Sequence, residues 1–329
     1  MESFLALAGQ NLISPIILSF ALGLGAALAR SDLSVPEAAA KALSLYLLFS
    51  IGFKGGVSVA AHGFDTTLAL SLLTGVLLSF LLPFIAFALL RLLTNLSALD
   101  AAAVAGHYGS ISIVTFVAAS SVLQGSGIPA EGYMVAVAAA MEAPAILSAL
   151  WLAARAKPGS TDEARHDGGL MREILLNGSI VLLVGSFFIG MITGQKGLSE
   201  IESFIVAPFK GVLCLFLLDM GLVAGRGLRA ARGVLSTGLV AFGILMPLIG
   251  AVSGLGAALA LGLSEGGTVL MMTLCASASY IAVPAAMRVA LPEANPSVYL
   301  SASLGITFPF NLTLGIPVYM ALAAAAVGG

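Results

Sequence analysis

Ten apolar stretches follow one another along this 329-residue chain, near 11–29, 36–60, 66–94, 99–123 and 131–155, then near 173–194, 200–224, 233–262, 266–290 and 296–327. Runs of about 20 apolar residues are what an α-helix needs to cross the hydrocarbon core of a bilayer. Composition agrees: 59% of the residues are hydrophobic and only 9% charged, whereas a soluble domain carries roughly 25% charged residues. No water-facing surface can be assembled from such a chain. The sequence therefore predicts an all-α integral membrane protein with about ten transmembrane helices.

One polar connection of any length interrupts the series, Lys157-Pro158-Gly159-Ser160-Thr161-Asp162-Glu163-Ala164-Arg165-His166-Asp167-Gly168-Gly169. It predicts a first five-helix repeat over 1–156, a cytoplasmic linker over 157–170 and a second five-helix repeat over 171–329. The halves share landmarks at one spacing: Ser277, Ser279 and Pro296 each stand 167 residues after Ser110, Ser112 and Pro129. The stretch Leu45 to Gly52 is similar to Leu213 to Gly221, and the last span of each half carries a proline, Pro144 and Pro309. Because five spans is an odd number, the second copy enters from the opposite face, which makes a five-plus-five inverted repeat.

Basic residues give the orientation. With the N-terminus outside, eleven Lys and Arg residues fall on the cytoplasmic side and only Lys54, Lys196 and Lys210 do not, the bias expected of inner loops. Both termini are then outside, and the first span is a retained helix, since the start of the chain lacks the basic region of a cleaved signal peptide. Cys214 and Cys275 lie within apolar spans and read as free buried thiols rather than a disulfide or metal framework.

Small residues interrupt spans 4 and 9, as Gly109-Ser110-Ile111-Ser112 and Ala276-Ser277-Ala278-Ser279. A helix opened there leaves backbone groups that lipid cannot satisfy, so the break needs protein or a water-filled cavity around it. Each resuming half-helix carries about half a positive charge at its N-terminus, and two of them can converge on one anion. Serine hydroxyls add donors and acceptors without bulk. Small residues also let membrane helices pack closely; two runs at matched positions favour a site. Gly109, Ser110, Ser112, Ala276, Ser277, Ser279, Tyr280 and the amide of Asn311 are the candidate substrate-binding residues.

Ionisable groups inside the spans are few, and such groups are costly enough to suggest function. Glu142 stands mid-span before Pro144, with function set against a protonated carboxyl bonded to freed backbone. Asp219 lies nearer a span end, with the two readings balanced. Lys54 and Lys210 are expected to snorkel, Lys54 with a cavity as its alternative. His107 abuts the first break and reads as a helix-end holder ahead of a ligand, and Arg288 as a snorkelling residue at the inner mouth.

Several ordered motifs carry a family resemblance: Val35-Pro36-Glu37, Ile51-Gly52-Phe53-Lys54-Gly55-Gly56, Asp100-Ala101 leading into Gly109 to Ser112, Met141-Glu142-Ala143-Pro144-Ala145, Met220-Gly221, Ala276 to Ile281 with Pro284 and Arg288, and Pro292-Glu293-Ala294-Asn295-Pro296-Ser297-Val298-Tyr299. Along nearly its whole length the chain resembles the sodium-dependent bicarbonate transporter family of cyanobacteria. The resemblance implies a gate domain (spans 1, 2, 6 and 7) and a core domain (spans 3–5 and 8–10), assembled as a trimer in the bacterial inner (plasma) membrane. Substrate and sodium would bind where spans 4 and 9 cross. The chain departs from the family pattern at Ile113 and Val114, which replace a glycine and a serine, and at Tyr280, which replaces a carboxylate. Its linker is shorter too, so a PII-like regulatory partner on the cytoplasmic face is only weakly implied.

Together these readings give a secondary active transporter of a small anion, with sodium-coupled bicarbonate uptake first. Thr115 and Glu142 are the candidate sodium ligands, sodium is the coupling ion, and no other cofactor and no nucleic-acid partner is expected. The alternatives are a proton-coupled or sodium-coupled carrier of another small carboxylate, with Glu142 or His107 as the proton group, and a non-transporting anion-binding membrane sensor. An enzyme pairing a serine with His107 is disfavoured, because the chain lacks a Gly-x-Ser-x-Gly nucleophile elbow.

Overall fold

The computed structural model describes residues 13–63, 65–142, 144–156, 178–230, 235–280, 283, 284, 287 and 291–328. The linker 157–170, the first residues of the sixth run, Ala143, Ile281 and Arg288 lie outside the described residues. The described residues are helical, without a strand. In chain order the helices are α1 (Pro15–Leu28), α2 (Glu37–His62), α3 (Thr66–Leu93), α4 (Ala98–Gly109), α5 (Ile113–Gly125), α6 (Met134–Ala140), α7 (Pro144–Ala156), α8 (Gly178–Ile205), α9 (Phe209–Ala230), α10 (Thr237–Leu261), α11 (Glu265–Ala276) and α12 (Pro296–Val327). Among the described residues eight helical segments are long and apolar enough to cross a membrane, counting α4 with α5 and α6 with α7 as single segments. The protein is a multi-pass membrane protein.

Burial separates the interior from the lipid side. In the most apolar window of the α4–α5 segment 94% of the residues are buried, against 28% in α3, so the broken segment is the centre and α3 the periphery. Leu70, Leu73, Leu77 and Leu81 of α3 recur at helical spacing and stay exposed, an apolar stripe suited to acyl chains. The most extensive contacts pair α2 with α8 and α1 with α9; α3 packs on α4 and α7, and α10 on α11. Two of these approaches depend on glycine. A Cβ at Gly109 would collide with Pro83 and the Ser79 carbonyl of α3, and one at Gly250 would collide with the Cys275 carbonyl of α11.

Three interruptions differ from the sequence expectation. The fifth run splits into α6, which ends at Ala140, and α7, which begins at Pro144, because the proline ring clashes with the carbonyl four residues back, at Ala140. The hydroxyl of Ser79 donates to the Met141 carbonyl at 2.7 Å and satisfies one group the break exposes. In the last span Pro309 does not break the helix; π-helical turns at Ser301–Thr307 and Asn311–Gly315 flank it and absorb the local mismatch. The sixth run was expected to end near 194 and the seventh to begin near 200. Instead Gly194 kinks α8 at φ 58° and ψ −151°, a conformation open to glycine. The helix then continues to Ile205, and α9 starts after Pro208.

Candidate functional site at the crossing of two broken helices

The two inner half-helices are matched in detail. α4 and α11 are each twelve residues long. Each begins at a serine N-cap: Ser97 Oγ accepts from Asp100 N at 3.0 Å and Ser264 Oγ from Gly267 N at 3.1 Å. These caps are also 167 residues apart. Carboxylates lock both ends from a distance. Asn295 N, at the start of α12, donates to Asp100 Oδ1 at 2.8 Å. Glu131, before α6, accepts from Ser264 N at 2.7 Å and from Ser264 Oγ at 2.9 Å, a favourable place for negative charge at a helix N-terminus.

Where α4 and α11 end, the chains meet. Ser112 N donates to Ser277 Oγ at 2.9 Å, and Ser277 Oγ donates to Leu274 O at 2.9 Å. Ser279 N donates to His107 O at 2.7 Å and to Ser110 O at 3.2 Å. Past the first break α5 starts on a serine, Ser112 Oγ accepting from Thr115 N at 3.2 Å and from Thr115 Oγ1 at 3.0 Å, and past the second Ser279 Oγ accepts from Val283 N at 3.4 Å. The interruptions that lipid could not tolerate are thus satisfied by each other. Ser110, Ser112, Ser277 and Ser279 are all buried.

Not every group is satisfied. Ser110 Oγ is buried with no hydrogen-bond partner, and so is the Tyr280 hydroxyl, which lies against the Ser112 side chain without a bond of good geometry. At the start of α5 the N–H groups of Ile113 and Val114 have no acceptor among the described residues. The Tyr280 ring packs edge-on against Phe308, 5.1 Å between centroids, and Phe308 meets Phe20 of α1 at 5.2 Å. The crossing therefore has unspent donors beside an aromatic contact to the α1–α9 pair.

The other expected residues hold the frame. Gly109 is seated against Pro83. Asn311 Nδ2 donates to the Ala276 carbonyl at 2.9 Å, and Asn311 Oδ1 accepts from Tyr319 Oη at 2.7 Å, so both ends of this amide are engaged. His107 bonds Ala103 O through Nδ1 at 2.7 Å and stacks on Tyr299 at 4.5 Å, with Nε2 unpartnered. Thr115 joins the crossing through Ser112. Glu142 does not: it is buried at the α6–α7 break, Oε2 is unpartnered, and no hydrogen bond connects it to Ser112 or Thr115 among the described residues. Sequence reasoning missed the Glu131 and Asp100 clamps, although the serine caps with their 167-residue spacing marked one end of each.

Helices broken in pairs at the buried centre of a multi-pass helical protein are the architecture of secondary membrane transporters. A sequence model of the Na+-dependent bicarbonate transporter superfamily matches residues 15–324, and the chain belongs to that superfamily. It is a membrane transporter and not an enzyme. No curated protein matches the chain significantly.

Proposed function

We propose that this transporter takes up a small anion, bicarbonate, driven by sodium, and that the anion binds at the crossing of the two breaks. The observation that carries the reading is the set of unspent donors there: Ser110 Oγ, the Tyr280 hydroxyl and the first-turn N–H groups of α5. A buried hydroxyl without a partner costs about 1–3 kcal/mol, a cost that an anion accepting from it removes. The α5 dipole adds attraction without fixed charge, so release stays accessible. Sodium, a hard cation, takes oxygen ligands; Thr115 Oγ1 and the carbonyls at the breaks supply them.

The reading includes ten spans in a five-plus-five inverted repeat, with α1, α2, α8 and α9 as a gate group and the remaining helices as a core group. The common spacing of serine caps and breaks supports it, as do the reciprocal pairings of α1 with α9 and α2 with α8. It extends to a homotrimer in the bacterial inner membrane with both termini outside, and to a PII-like partner on the cytoplasmic face, for which the linker offers little length. A second reading, proton coupling, is favoured by the buried unpartnered oxygen of Glu142. Uptake of radiolabelled bicarbonate into proteoliposomes tests the assignment. The wild type accumulates bicarbonate under an inward sodium gradient, and Tyr280→Phe raises KM about tenfold or more, the worth of one hydrogen bond to a charge. Unchanged KM in Tyr280→Phe, or uptake indifferent to sodium, overturns the corresponding part.

A further inference from the structure

A cavity of about 280 Å³, whose lining does not include the serines of the crossing, lies between the α2–α9 side and the second half of α5. Ile51 and Lys54 of α2, Phe209 of α9, Phe116 and Val117 of α5, and Leu270 of α11 line it. Lys54 supplies its cation. The lysine side chain is half-buried, and Nζ sits 4.0 Å from the centroid of the Phe209 ring at the start of α9. Lys54 has no ion-pair partner among the described residues. The carboxylate on the wall, Glu131, spends both oxygens on Ser264 at the α11 N-terminus and forms no ion pair with Lys54 among the described residues.

The space is near the lower end of the roughly 300–1,000 Å³ range of pockets for organic ligands, more than a small inorganic anion fills. The wall also carries Ser120, Ser121, Gln124 and the Glu131 carboxylate, and a single ammonium with a carboxylate on the same wall disfavours a dianion, whose second charge would be desolvated without a partner. We propose that this cavity is a second anion site that holds an organic monocarboxylate with a compact apolar body. The carboxylate pairs with Lys54 Nζ, and the body rests between Phe116, Val117 and Leu270. The site goes beyond the carrier reading and does not depend on it, since binding is read without transport.

Saturation-transfer NMR titrations on the protein in lipid nanodiscs test it with three probes: benzoate, benzamide as its uncharged counterpart, and formate as the charge without the body. Empty nanodiscs correct for partition into lipid. Benzoate binds, and benzamide and formate each bind about tenfold more weakly or less, the scale of losing a charged hydrogen bond or the apolar contact. Lys54→Met weakens benzoate to the same degree, Lys54→Arg restores it, and Tyr280→Phe at the crossing leaves it in place. Equal affinity for benzoate and benzamide in the wild type overturns the proposal without any variant. So does benzoate binding that survives Lys54→Met, or that is lost in Tyr280→Phe instead. Bicarbonate uptake in the wild type, measured separately, tells a failure here from a failure of the carrier reading.

Discussion

The two broken helices begin as near copies and finish differently. Their first halves match in length, cap and spacing, yet the paired serines Ser110 and Ser277 have opposite roles. Ser277 Oγ accepts from Ser112 N and donates to Leu274 O, while Ser110 Oγ is buried with nothing to bond. Ser277 is the bonded serine of the pair and Ser110 the unbonded one, and the proposed anion site would draw on the second.

The harshest way to break the comparison is to fill either restart. Ser112→Leu or Ser279→Leu should abolish bicarbonate binding and uptake, since each removes a buried hydrogen-bond acceptor and crowds the crossing; normal transport in both variants would remove the site. A sharper contrast comes from the serine pair. Ser277→Ala leaves the buried Ser112 N–H without its acceptor and should lower stability by about 1–3 kcal/mol. Ser110→Ala should leave thermal unfolding near wild type and weaken anion affinity, and thermal melts beside uptake kinetics separate the two. If both variants lose stability alike, the distinction drawn from their hydrogen bonds fails.

Smaller effects are expected away from the crossing. Glu142→Gln should change the dependence of uptake on sodium or pH more than it changes stability, because the carboxyl is buried at a break of its own. An unaltered ion dependence assigns Glu142 to packing of the α6–α7 joint. Electrically the smallest response is expected. One sodium moving with one monovalent anion carries no net charge, so a potential worth about 2.3 kcal/mol per elementary charge at 100 mV should drive no uptake. A tenfold sodium gradient at zero potential supplies about 1.4 kcal/mol and should drive it; uptake on potential alone excludes that stoichiometry.

Span-length hydropathy and the two serine runs were readable from the sequence because each is a local property. The break between α6 and α7 was half readable: Pro144 announced a perturbation, but the loss of continuity depended on Ser79 of α3 being present to satisfy Met141. Pro309 is the same residue type with the opposite outcome, since π-helical turns accommodate it. Nothing in the neighbourhood of Lys54 foretold that its ammonium would sit over Phe209, 155 positions further along the chain. The same holds for Asn311, whose amide looked free until Ala276 and Tyr319 were brought to it.

The clamps on the two inner half-helices bear on how the protein is made. Ser112 waits for a partner 165 residues later, Asp100 for one 195 residues later, and Glu131 for one 133 residues later. At a synthesis rate of about 5–20 residues per second, such intervals are on the order of ten seconds or more. Throughout that interval the first half lacks the partners that close its break, with Asp100 held only by its neighbour Ser97. The nascent protein should therefore be most vulnerable to proteolysis just before its final third emerges. Two separately expressed halves should persist in cells only when they are made together.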